Sequence, residues 1–132
     1  MSTVQRIAQV FGVVFILVAI LGFVTAGTSM DADPTTAQRI LGLFPVNLLH
    51  NVVHLLFGIW GLTAARSFGG AATYGRLGGV IYLALAALAF VSPSLFGLVP
   101  IGGHDIWLHA VLGVVLAGVG FSAREPVATA AR

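Results

Sequence analysis

The chain has 132 residues, of which 58% are hydrophobic and only 8% charged. Soluble domains run at about 45–50% apolar and ~25% charged, and a fold this small cannot hide such an excess from water. The bilayer is therefore the expected solvent, with all of residues 1–132 in one all-α polytopic membrane domain. The net charge of +2 forms no basic face and excludes nucleic acid as a partner. The absence of cysteine excludes disulfides and thiolate ligands.

The first predicted element is a membrane span over about residues 8–27. Arg6 before an apolar run, with Val24-Thr25-Ala26 after it, resembles a cleaved leader. The run is long for a leader and the rest of the chain is equally membrane-like, which favours an uncleaved first span. Residues 28–45 form the one long connection. Asp33 followed by Pro34 is a helix-start signal, so a short helix over Thr35–Leu41 is expected along the interface, closed by Pro45. Span two covers about 46–65. A glycine-rich connection, Arg66–Arg76, reads as flexible. Span three covers about 77–96, followed by an apolar connection that dips toward the interface. Span four covers about 104–122. Each span approaches the ~20 residues that cross a ~30 Å hydrocarbon core. Helices satisfy their own backbone there, and the many alternating strands of a barrel are absent.

Arginine supplies all the positive side chains apart from histidine. In a four-span chain Arg6, Arg66, Arg76, Arg124 and Arg132 fall on one side and Arg39 on the other. The positive-inside rule makes both termini cytoplasmic. His50, His54, His104 and His109 then lie in the outer half, with Asp31, Asp33 and Asp105.

On span two, Asn47, His50, Asn51, His54, Gly58 and Gly61 recur at helical spacing on one face. Two asparagines and two histidines facing lipid would be costly, so this stripe faces the bundle interior, and the glycines let a neighbouring helix approach. On span four, Asp105 and His109 share a face with Gly113 one turn deeper. Gly118 and Gly120 extend the small-residue theme less cleanly. Gly42, Leu43, Pro45, His54 and Gly58 recur 55 positions later as Gly97, Leu98, Pro100, His109 and Gly113. This reads as tandem duplication of a two-helix unit, placing His54 and His109 at equal depth around an axis along the membrane normal.

Three readings of this constellation stay open. In the first, the polar groups are packing glue that fixes how four apolar helices meet, each bond contributing about 0.6–2 kcal/mol. In the second, His50, His54, His109 and Asp105 hold a metal, zinc or copper, or His54 and His109 ligate a haem from opposite sides. No zincin-like base is present, because position 51 is Asn. In the third, the cluster lines a pocket for a small ligand or lipid headgroup, or belongs to a subunit of an oligomeric transporter. No nucleophile arrangement or phosphate-binding loop supports enzymatic chemistry. Phe11, Phe15 and Phe23 read as a packing or lipid-facing ridge. Trp60, Trp107 and Tyr74 read as anchors and packing residues, Trp107 and Tyr74 near opposite interfaces.

The segment ILGLFPVNLLHNVVHLLFGIWGL, residues 40–62, closely resembles the signature of DUF4383, a family of small bacterial four-span membrane proteins of unknown function. VVFILVAILGFVTAG before it and DIWLHAVLG after it are similar to the same family. The resemblance falls on Asn47, His50, Asn51, His54 and Gly58, then on Asp105, Trp107, Leu108 and His109. It implies a location in the bacterial inner membrane and no established activity or cofactor. His104 departs from the family pattern and is the poorest ligand candidate. The expected role is a non-enzymatic structural or assembly component in contact with the lipid bilayer, with homo-oligomerisation open through its small-residue faces.

Overall fold

The computed structural model describes residues 1–125, so Arg132, counted above on the cytoplasmic side, lies outside the described residues. Four helices dominate: α1, Thr3–Ala26; α2, Leu48–Ala64; α3, Phe68–Ala89; and α4, His104–Ser122. Two short strands, β1 (Arg39–Ile40) and β2 (Phe44–Pro45), pair antiparallel between α1 and α2. The fold is an all-α bundle of membrane type. Three of the helices are long and apolar enough to cross a bilayer, and α2 is a shorter apolar helix.

Ser2 starts α1 through a capping box: its side chain accepts from the Gln5 backbone amide at 3.4 Å, and the Gln5 side-chain oxygen Oε1 accepts from the Ser2 backbone amide at 3.0 Å. The Gln5 side-chain amine donates to the Ala65 carbonyl at 3.0 Å, tying the start of α1 to the end of α2. The inward face of α1 is Val4, Ala8, Gly12, Phe15, Ala19, Gly22 and Ala26, mostly small residues. Its large aliphatic residues, such as Leu17, Ile20 and Leu21, face outward. Water would reverse that arrangement. Lipid permits it, because helices then associate by close packing instead of by withdrawing apolar surface from solvent.

The helices pack mainly as two hairpins, α1 on α2 and α3 on α4. Glycines set both contacts. A Cβ on Gly12 would stand 2.7 Å from the Leu62 nitrogen, and one on Gly75 would stand 2.8 Å from the Gly120 Cα. The hairpins repeat one another in detail. The hydrogen bonds Gly42 N to Arg39 O, Leu43 N to Ile40 O and Val46 N to Gln38 O recur as Gly97 N to Ser94 O, Leu98 N to Leu95 O and Ile101 N to Pro93 O. Leu41 and Gly42 have positive φ, and so do Phe96 and Gly97. Gly58 packs on Ile16 of α1 as Gly113 packs on Leu83 of α3. The duplication read from a few glycines and prolines thus extends through backbone hydrogen bonding and helix contacts.

Two expected boundaries are corrected. The interfacial helix over Thr35–Leu41 is only a single turn at residues 34–36. Asp33 does start it, accepting from the Thr35 amide at 2.8 Å and hydroxyl at 2.7 Å, and these bonds hold its carboxyl below the usual pKa. The chain then leaves for the β1–β2 ladder, where positive φ at Leu41 and Gly42 makes the reversal. Span three runs over 68–89 instead of 77–96. Ser67 caps it, accepting from Gly70 N at 3.0 Å. The glycines of that connection are helical, and Gly75 among them lets α3 lie against Gly120 of α4. Arg76, expected in the loop, stands within the helix, and its Nε donates to the Gly120 carbonyl at 2.9 Å.

Candidate metal centre

The site forms where the N-terminal turns of α2 and α4 meet, at the end of the bundle that also carries the β1–β2 loop. Asn47 caps α2, its side-chain oxygen accepting from the His50 amide at 2.9 Å. Its side-chain nitrogen donates to the Leu98 carbonyl at 2.8 Å, joining the two halves of the repeat. The capped helix then carries His50, Asn51 and His54 inward, all buried. On α4, Asp105 and His109 are equally buried.

His50 Nδ1 lies 3.2 Å from the Pro45 carbonyl. A carbonyl only accepts, so Nδ1 carries the proton and Nε2 is left with its lone pair. That Nε2 faces Asp105 Oδ2 at 3.7 Å, beyond hydrogen-bond distance. One nitrogen each from His50, His54 and His109 come together within 4.8 Å of one another. The His50 ring stands 4.5 Å from His54 and 6.0 Å from His109. Below them Phe15 stacks on His54 at 5.7 Å and on Tyr82 at 5.4 Å, with the Phe15 and Tyr82 rings 9° from parallel. Tyr82 in turn approaches His109 at 5.2 Å.

This arrangement follows the repeat. Phe15 with His54 corresponds to Tyr82 with His109, and His50 corresponds to Asp105. The centre is thus two copies of one pair of positions, facing each other across the seam between hairpins. The two copies differ at one position, His50 against Asp105, which makes the set three imidazoles and a carboxylate. The set is also unsatisfied. His54 Nδ1, His109 Nδ1, Asp105 Oδ2 and both amide atoms of Asn51 are buried without a hydrogen-bond partner. Buried polar groups are paired in the great majority of cases, and three of these unpartnered atoms belong to His54, His109 and Asp105, while the two of Asn51 lie toward Gly22 of α1. Two cavities flank it, of about 220 and about 300 Å3, each reaching both His54 and His109.

The residues singled out in the sequence divide cleanly. His50, His54 and His109 converge. Asp105 stands beside His50 but outside the mutual approach of the three rings. Asn47 and Asn51 are fully buried, the first as cap and cross-link, the second against Gly22 of α1. Gly58, Gly61 and Gly113 sit at helix contacts, well below the imidazoles. His104 is exposed and accepts from Trp107 Nε1 at 3.1 Å, apart from the cluster. Gly118 is exposed with open space around it, while Gly120 is buried. Tyr74 is not an interfacial anchor: it is fully buried, 4.8 Å from Trp60. Phe15 and Tyr82 are the neighbours that the sequence did not mark as such. The only signal was the match between Phe15 and Tyr82 within the repeat, and the short matching segments do not reach that far.

No curated protein and no solved structure matches the chain. A family model described as a domain of unknown function, DUF4383, matches residues 5–122. That match spans all four helices and both halves of the histidine cluster, and the chain belongs to the DUF4383 family.

Proposed function

We propose that this is a small inner-membrane protein that holds one first-row transition-metal dication between its hairpins. His50, His54 and His109 are the ligands and Asp105 the adjacent negative charge. The observation that carries this reading is the convergence of three buried imidazoles whose nearby polar atoms have no protein partner. Three histidines with room for a further donor suit zinc or copper. The Pro45 carbonyl supports the reading by presenting His50 as a ligand through Nε2, as outer partners of metal-bound histidines commonly do. Asp105 offsets charge that would otherwise be buried among apolar helices. Three imidazole nitrogens within 4.8 Å of one another suit a single ion held by three histidines.

The test is elemental analysis of protein purified in mild detergent without chelator. About one equivalent of zinc or copper per chain is expected. His54→Leu and His109→Leu are expected to lose it while keeping their helicity. Metal-free wild type whose melting is unmoved by either ion would sink the proposal.

A structural role is a second reading, favoured by the Asn47–Leu98 bond across the repeat. Under it the same leucine variants would lower melting or disrupt assembly, and wild type would carry no ion. Orientation belongs with the proposal: Arg6, Arg66 and Arg124 lie at the end of the bundle opposite the histidines, so both termini face the cytoplasm by the positive-inside rule.

A further inference from the structure

The two cavities beside the histidines are counterparts under the repeat, and they differ. The smaller lies between α2 and α3, the larger between α1 and α4. Val14, Phe15 and Val18 of α1 line the larger where Ile81, Tyr82 and Leu85 of α3 line the smaller. Leu108 and Leu112 of α4 correspond in the same way to Val53 and Phe57 of α2. The α2–α3 seam is drawn together by direct helix packing and roofed by Leu95, Val99 and Ile101 of the loop before α4. Among the described residues no loop residue lines the α1–α4 seam, where the helices barely touch. Its mouth is formed by Val10 and Val14, both well exposed on the outer, lipid-facing side of α1.

We infer that the α1–α4 seam is a lateral port through which a lipid-soluble ligand with a flat, neutral, oxygen-bearing headgroup reaches the histidine cluster, the chemistry of a quinone or quinol. The walls are aliphatic and aromatic, which suits an apolar tail continuous with the acyl chains. The polar side chains lining the cavity are His54, His109 and Asp105. Each is more than nine-tenths buried and each has an atom without a partner, His54 Nδ1, His109 Nδ1 and Asp105 Oδ2. Imidazole nitrogens and a carboxyl can donate to a carbonyl oxygen or accept from a hydroxyl. Among the described residues no arginine lines the cavity and a carboxyl does, so in the ion-free protein a phosphate or carboxylate head would find no counter-charge there. Phe15 and His54, stacked with their rings 19° apart, both line the cavity and offer flat ring surface beside the polar atoms. This inference uses the histidines of the proposed metal centre but does not require the ion.

The experiment titrates a decyl-tailed benzoquinone into the full chain in nanodiscs, after chelator treatment and again after metal loading, following thermal stability and bound ligand. Saturable binding near one per chain is expected. Val14→Trp fills the seam from its lipid side and is expected to weaken binding by roughly tenfold or more. Ile81→Trp, at the matching position of the other seam, should leave it nearly unchanged. Val18→Trp serves as a second blocking variant should Val14→Trp fold poorly. Absence of saturable binding, indifference to both blocking variants, or equal loss in Ile81→Trp overturns the inference. Metal content measured on the metal-loaded samples separates the two ideas: quinone binding by protein that holds no ion even after loading sinks the metal reading alone, and retained ion without quinone binding sinks the port alone.

Discussion

Asn47 has two duties that a single substitution can expose. Its oxygen caps α2 and its nitrogen reaches Leu98 in the other half of the repeat. Replacing Asn47 by Ala removes the cap, a loss of about 0.5–2 kcal/mol in general, and also leaves the Leu98 carbonyl without that donor. Asn47→Ala should therefore lower the melting temperature measurably in a circular-dichroism melt while the histidines remain in place. Asn47→Asp is expected to recover the cap alone and to fall between the two. At this scale the sequence was a good guide to which residues are buried: every member of the stripe from Asn47 to Gly61 lies inside. It was silent on partners. Nothing local to His50 says that its Nδ1 meets Pro45, or that Nε2 will look across at Asp105.

Glycine decides how the elements approach one another, and its effect depends on the face it occupies. Gly12 and Gly58 meet across α1 and α2, and a side chain at Gly12 would press on the backbone of Leu62 and Gly58. Gly12→Val forces those helices apart, and overpacking of this kind costs about 1–3 kcal/mol. Gly118 lies on the exposed face of α4 with nothing near it. Gly118→Ala should be neutral or stabilising, by up to about 1 kcal/mol of helix propensity. Thermal melts of both variants in one detergent check the contrast, and equal destabilisation would contradict the assigned packing. The same distinction bears on the first half of α3. A glycine-rich stretch looks like a loop when counted residue by residue. Here Gly75 and Gly79 are the surface on which α4 rests, and the packing outweighs their poor helix propensity.

For the whole molecule, the repeat orders both halves around one centre, and the direction of the chain across the bilayer determines which compartment that centre adjoins. The chain has no cysteine, so single replacements give clean labels. Gln38→Cys, on the exposed loop at the histidine end, should react with a membrane-impermeant maleimide added to intact spheroplasts. Gly69→Cys, in open space at the opposite end, should react only after permeabilisation. The reverse pattern would place the histidines toward the cytoplasm and refute the proposed orientation.

Composition and the 3.6-residue period were enough to establish helices, their number, and their polar and small-residue faces. Those properties are local, since each depends on residues within a few turns of one another and on whether lipid or protein surrounds them. Which imidazoles meet is a different kind of fact. His50 and His109 are neighbours only because two glycine-faced hairpins pack with Phe15 and Tyr82 stacked between them. Likewise the turn at Leu41–Gly42 replaced an interfacial helix because the segments on either side of it pair, Arg39 with Pro45 and the Gln38 carbonyl with the Val46 amide, contacts that helical spacing does not encode. Spacing along a helix can show that a polar face needs covering; the choice of cover comes from the opposing helix.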